Sequence, residues 1–155
     1  MVPALRCAGP ALLLLAAAPP QDSASQTRLM DRIERMLVLP KEAQPFARYG
    51  RNYALAGPDT VRAVYVVPPP RSSANTGCSV ALPDFKWRPC TAREIAAMIK
   101  SEDENIASQA RAGQRRWHDK ASSLPLVDDG GCTVIMIEYS ISRDRITSTT
   151  CNGFG

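Results

Sequence analysis

The residues of this sequence whose types could do chemistry are few: five cysteines, a single histidine, and a short basic run around one tryptophan. Cys78, Cys90, Cys132 and Cys151 are spaced too widely for a dithiol redox centre, which needs CxxC or one activated thiol. With no CxxC and no second histidine, a zinc site has no ligand set either, so neither a metal nor another cofactor is expected. An even number of cysteines in an exported chain points to two structural disulfides. Three connectivities exist for four cysteines, and local pairing of Cys78 with Cys90 and Cys132 with Cys151 is the simplest.

His118 sits in RRWHDK, a basic stretch that reads as surface. Its neighbour Asp119 is adjacent in sequence, which does not aim the imidazole at a nucleophile. The chain has no GxSxG elbow, no P-loop or GxGxxG, and no HExxH. Asp128 and Asp129 before Gly130 and Gly131 lack the further ligands of a calcium loop and read as turn chemistry. An enzyme would need a shifted carboxylate in a cleft, with Glu138 or Asp129 as the candidates.

Two leads concern binding. Phe85 and Trp87 lie in SVALPDFKWRP between Cys78 and Cys90, where a crosslink would fix them on a constrained loop. Arg111, Arg115, Arg116 and Lys120, with Trp117 among them, could meet an anionic surface or polymer. The alternative reading of that cluster is a helix end dressed with charges that favour its dipole.

These residues need a compartment and a scaffold. The opening MVPALRCAGPALLLLAAAPPQDSAS has a positive start at Arg6, the apolar block Ala11–Ala18 and a small-residue exit, the pattern of a cleavable secretory signal. The block is far short of the ~20 residues that span a bilayer. A cut near Ser25 is expected, giving a leader over 1–25 and a domain over 26–155 with a loop insertion at 68–90. Cys7 precedes the apolar block and leaves with the leader. The net charge of +4 on 155 residues is too small an excess to argue for nucleic acid.

Hydrophobic spacing predicts a helix over 27–38, capped by Thr27, with Leu29, Met30, Ile33, Met36 and Leu37 on one face. Residues 45–67 predict two strands, the first placing Tyr49 and Tyr53 on one face and Asn52 on the other. Pro68, Pro69 and Pro70 end the second strand. TARE at Thr91–Glu94 is a capping box, opening a helix over 91–117 that directs Ile95, Met98, Ile99, Ile106 and Ala110 inward. Residues 132–141 are apolar on both faces, as in a covered central strand, and 145–151 return beside them. Counting places Cys132 and Cys151 a few residues out of register, so a bond between them needs a bulge or an unpaired strand end.

Leu124-Pro125, Gly130-Gly131-Cys132 and Cys151-Asn152-Gly153, with the aromatic segment Phe46–Tyr53 and the strand Val61–Val67, resemble a pattern of small exported proteins of Gram-negative bacteria. The resemblance covers the first and last thirds of the mature chain. It implies a periplasmic or secreted location and a Cys132–Cys151 bond, and no activity.

The expectation is therefore an α+β domain: a small antiparallel sheet of about four strands, helices packed on one face, and two disulfides. Its expected role is a non-catalytic module that binds an envelope protein or an anionic polymer. The alternatives are an envelope-acting enzyme and a structural or stress-related protein without a specific ligand. No nucleic-acid partner and no membrane span after cleavage are expected.

Overall fold

The computed structural model describes residues 22–71, 77–83 and 85–153. The leader's features, Arg6, Cys7 and Ala11–Ala18, lie outside the described residues.

Asp22 caps the first helix, α1 (Ser23–Met36), its carboxylate accepting from the Ser25 amide. The cap is thus five residues before Thr27 and inside the stretch assigned to the leader. An Asp side chain can satisfy one of the open amides of a first turn, which is why the helix begins there. α1 ends at Met36, ahead of Pro40, and buries Met30 and Ile33.

After a 3-10 turn at Phe46–Arg48 come β1 (Gly50–Leu55) and β2 (Thr60–Val66), an antiparallel pair. The small strands β3 (Ser79–Ala81) and β4 (Trp87–Pro89) form a separate hairpin, followed by α2 (Ala92–Ser108). β5 (Arg115–Trp117), β6 (Gly131–Ser140) and β7 (Arg145–Asn152) complete the chain. The main sheet has five strands in the order β5-β1-β2-β6-β7. Four of them are antiparallel, as expected; β5 adds itself to the edge parallel to β1.

One face of this sheet packs on α1. Tyr53, Val61, Ala63, Tyr65, Ile135, Ile137 and Tyr139 form one buried cluster with Tyr49, Met30 and Ile33. Fully burying a side chain of this size is worth roughly 2 kcal/mol. The other face carries Val64, Val66 and Val134, covered by Leu124 and Val127. The 132–141 strand is therefore covered on both sides, as its composition requires.

The long helix departs from expectation. α2 stops at Ser108, and Arg115–Trp117 is strand. None of its residues is buried; Ile95, Ile99 and Ile106 are half-buried and Met98 is exposed. Both sheet faces already have cover, from α1 and from Leu124–Val127, so the amphipathic stripe of α2 has no sheet to bury against. Ala110 alone of the expected set is buried, beyond the helix end. There its amide donates to Asn52 Oδ1 at 2.9 Å. Gly50 makes this crossing possible: a Cβ on it would lie 1.9 Å from the Ala110 carbonyl oxygen.

Both disulfides are local. Cys78–Cys90 closes the β3–β4 hairpin with a Cα separation of 5.4 Å, and Cys132–Cys151 joins β6 to β7 at 4.6 Å. The second sits at a bulge: Gly131 pairs with Asn152 and Ile135 with Cys151, leaving Cys132–Val134 without partners in β7. The Tyr49 hydroxyl donates to the Cys132 carbonyl at 2.5 Å and accepts the Gln44 amide at 2.9 Å, fixing the bulge from the α1 side.

Candidate functional site

The β3–β4 hairpin is built to hold its tip. Cys90 N–H donates to the Cys78 carbonyl beside the crosslink, and Leu82 N–H to the Lys86 carbonyl at 2.8 Å. The turn between them places Phe85 at φ 61°, a left-handed conformation that costs a side chain with a Cβ roughly 1–2 kcal/mol. Its amide donates back to the Leu82 carbonyl at 3.1 Å. Phe85 is 94% exposed, Trp87 is 68% exposed, and Leu82 adds a third apolar side chain at the same end. Three exposed apolar side chains near the end of a crosslinked hairpin, one of them on a left-handed turn residue, are unusual for surface that only faces water.

The hairpin's orientation relative to α2 is fixed by charge. Arg88 donates two bonds to Glu94, at 2.8 and 2.7 Å. The Glu94 carboxylate also accepts the Thr91 amide, while Thr91 Oγ1 accepts the Glu94 amide, completing the capping box read from TARE. The Arg88 guanidinium, then the bonds from Thr91, hold the Glu94 carboxyl down to about 2.

The basic residues do not form one surface. Arg115 turns toward α1, paired with Asp31 and lying 3.7 Å from Glu34. Trp117 packs half-buried against the main core. Arg116 lies on the opposite face of the same strand, where Nη1 donates to the Ala107 carbonyl at 2.8 Å. Arg111 and Lys120 are exposed in the flanking loops. Residues 115–117 are a strand rather than a helix end, so successive side chains point to opposite faces and the cluster divides.

Sequence reading missed two buried polar networks. In the first, Tyr53 Oη donates to Glu34 Oε1 at 2.7 Å and lies 2.7 Å from Tyr65 Oη. Arg51 Nη1 closes on Glu34 at 3.2 Å. Burial, with the neighbouring oxygens adding to it, holds the Tyr53 phenol far above the ordinary range; burial does the same to Tyr65. Both phenols stay protonated, and the network locks α1 to the sheet. In the second, His118, read as surface, is only 8% exposed, with Nε2 3.0 Å from Asn52 Oδ1. The signal available was Asn52 itself, a polar residue at an apolar-flanked strand position, which needs partners if buried.

Glu138 and Asp129 do not converge. Glu138 pairs across the strands with Arg62 at 2.9 Å on a half-exposed face. Asp129 is exposed at φ 52° in the turn before β6. Among the described residues no group of three or more His, Cys, Asp or Glu is placed to hold a metal ion. No described helix is long and apolar enough to cross a membrane. Two disulfides fit an oxidising compartment outside the cytoplasm. No known family, curated protein or solved structure matches the chain.

Proposed function

We propose that this chain is an exported, non-catalytic binding module of the bacterial cell envelope, docking on an envelope protein through Phe85 and Trp87. The leader pattern over 1–25 and the Gly-Gly-Cys … Cys-Asn-Gly resemblance support a periplasmic or secreted location. The single observation that carries the binding reading is the tip of the β3–β4 hairpin: Phe85 is 94% exposed on a left-handed turn at the end of a hairpin whose base is closed by a disulfide. Exposed aromatics presented on a rigid loop lose little entropy on docking and are frequent binding anchors. Arg88 and Glu94 set the direction in which the tip points. The helix α2 serves as the hairpin's support rather than as part of the sheet's core.

The test is site-specific photo-crosslinking from position 85 in the intact, secreted protein within its own envelope. The expected result is one crosslinked protein species, lost with Trp87→Ala and with Cys78→Ser/Cys90→Ser, and retained with Arg111→Gln. Crosslinking that is absent, or indifferent to Trp87→Ala, would overturn the reading.

A further inference from the structure

A cavity of about 410 Å³ lies between the end of α2, β5 and the turn at Ala121–Ser123, remote in sequence from the hairpin tip. Arg116, His118, Lys120, Ser108 and Ser123 line it, with Asp119 as the acid among them. Its charged lining is thus cationic on balance, and its hydroxyls add neutral donors.

His118 is held in one orientation and one tautomer by Asn52, which is wholly buried. The Asn52 amide cannot be flipped: Nδ2 donates to the carbonyls of Gly50 and Val64, both at 3.3 Å, and Oδ1 accepts the Ala110 amide at 2.9 Å. The atom facing His118 Nε2 is therefore an acceptor, so Nε2 carries a hydrogen. In the neutral ring the second nitrogen, Nδ1, is then a bare lone pair. It is the ring nitrogen not committed to Asn52, on a residue that lines the cavity. Protonation converts it into a donor without disturbing the bond to Asn52.

We propose that this cavity binds a small oxyanion of the phosphate type, held by Arg116 and Lys120 and, once the imidazole is protonated, by His118 Nδ1–H. The Arg116 guanidinium has one nitrogen committed to the Ala107 carbonyl, which orients the group and leaves its other donors for a ligand. The anion supplies the negative charge that the cationic lining lacks; Asp119, the one acid in that lining, opposes it and is outweighed by Arg116, Lys120 and the protonated imidazole. Burial, and then the Arg116 charge, draw the imidazole pKa below its usual 6.5 in the empty cavity, while Asp119 opposes them. A bound anion reverses that balance. Binding of an anion of fixed charge therefore tightens as pH falls, and by linkage the anion raises the histidine's pKa. This site is independent of the hairpin tip, and either can fail without the other.

The chain has one histidine, so its imidazole resonances are read by NMR without ambiguity. The experiment titrates the full disulfide-bonded protein with inorganic phosphate and, separately, with glycerol 1-phosphate at constant ionic strength. Either anion is expected to raise the apparent pKa of His118 by about one unit at saturation, and, once the ligand's own loss of a charge near pH 6–7 is corrected for, to bind up to about tenfold tighter near pH 5 than near pH 7.5. Preference for the ester identifies a phosphorylated headgroup or polymer unit, and preference for the inorganic ion a free phosphate; both support the site. Lys120→Gln is expected to weaken binding at least several-fold, Arg116→Gln more, and Arg111→Gln not at all. An imidazole pKa that neither anion moves, or a shift unchanged in Lys120→Gln and Arg116→Gln, would overturn the proposal.

Discussion

Tyr53 and Glu34 meet at 2.7 Å across the interface between α1 and the sheet, and this bond joins the helix to the centre of the core. Tyr65 and Arg51 close on the same two residues, so removing the Tyr53 hydroxyl strands the Tyr65 hydroxyl and takes one donor from Glu34. Tyr53→Phe is expected to cost about 1–3 kcal/mol, the penalty for stranding buried polar groups. Urea unfolding should show a lower midpoint with an unchanged slope. An unaltered midpoint would show that the network is energetically idle.

Gly50 has no room for a methyl group. Because the Cβ would overlap the Ala110 carbonyl, Gly50→Ala must push the chain after α2 away from β1. The expected loss is about 3 kcal/mol, at the upper end of overpacking effects. Gly57→Ala, where the added carbon meets nothing, is the control.

The two disulfides should separate in their effects. Each closes a short loop, so the chain-entropy contribution of either is about 3 kcal/mol. Losing Cys132–Cys151 acts on the main sheet and should lower the global melting temperature. Losing Cys78–Cys90 should free the β3–β4 hairpin while β1, β2, β6 and β7 keep their amide protection. Hydrogen exchange of the two double-serine variants distinguishes the cases.

Acid should release α1 before the sheet. The Arg32 guanidinium and then the Tyr139 hydroxyl hold the Asp144 carboxyl at about 2, down from 3.8. A depressed carboxylate stabilises the fold above its unfolded value, and that contribution disappears as pH falls from about 4 through about 2. Asp144→Asn should remove this part of the acid dependence and lower stability at neutral pH. A parallel pair of curves for wild type and variant across that window would refute the assignment.

Phe85→Ala and Trp87→Ala should leave the fold alone, shifting unfolding free energy by no more than about 0.5 kcal/mol, as for other exposed sites. A large destabilisation would mean that the aromatics pack inside the domain.

Much of the scaffold was legible in the sequence because it follows from local rules. TARE made its capping box, the proline run closed β2, and the double-sided apolar run became the covered strand β6. The misfit counted between Cys132 and Cys151 appears as a bulge. What escaped depends on contacts distant in the chain. Gly113 weakens the end of the expected helix but does not place its stop at Ser108; that is decided by Asn52 and by the edge of β1. His118 looked exposed because its neighbours are charged, yet its partner lies on another strand. The helix start escapes as well: Thr27 has the residue type of a cap, but Asp22 is the residue that accepts the Ser25 amide. Of the candidate binding residues, Phe85 and Trp87 kept their exposure, while the basic cluster was divided by a strand that helical spacing concealed.

The order of strands constrains how this chain can reach its native state. β1 with β2, and β6 with β7, are neighbours in sequence and can form as independent ribbons. The pairing of Val66 with Val134 must wait until everything between them has been synthesised and brought round, as must the parallel edge that joins Arg51 to Arg115. Nonlocal closures of this kind slow folding and prolong the life of exposed ribbon edges. Shortening only the connection between β2 and β3 should therefore quicken refolding more than it alters equilibrium stability, because loop length enters the entropy only logarithmically.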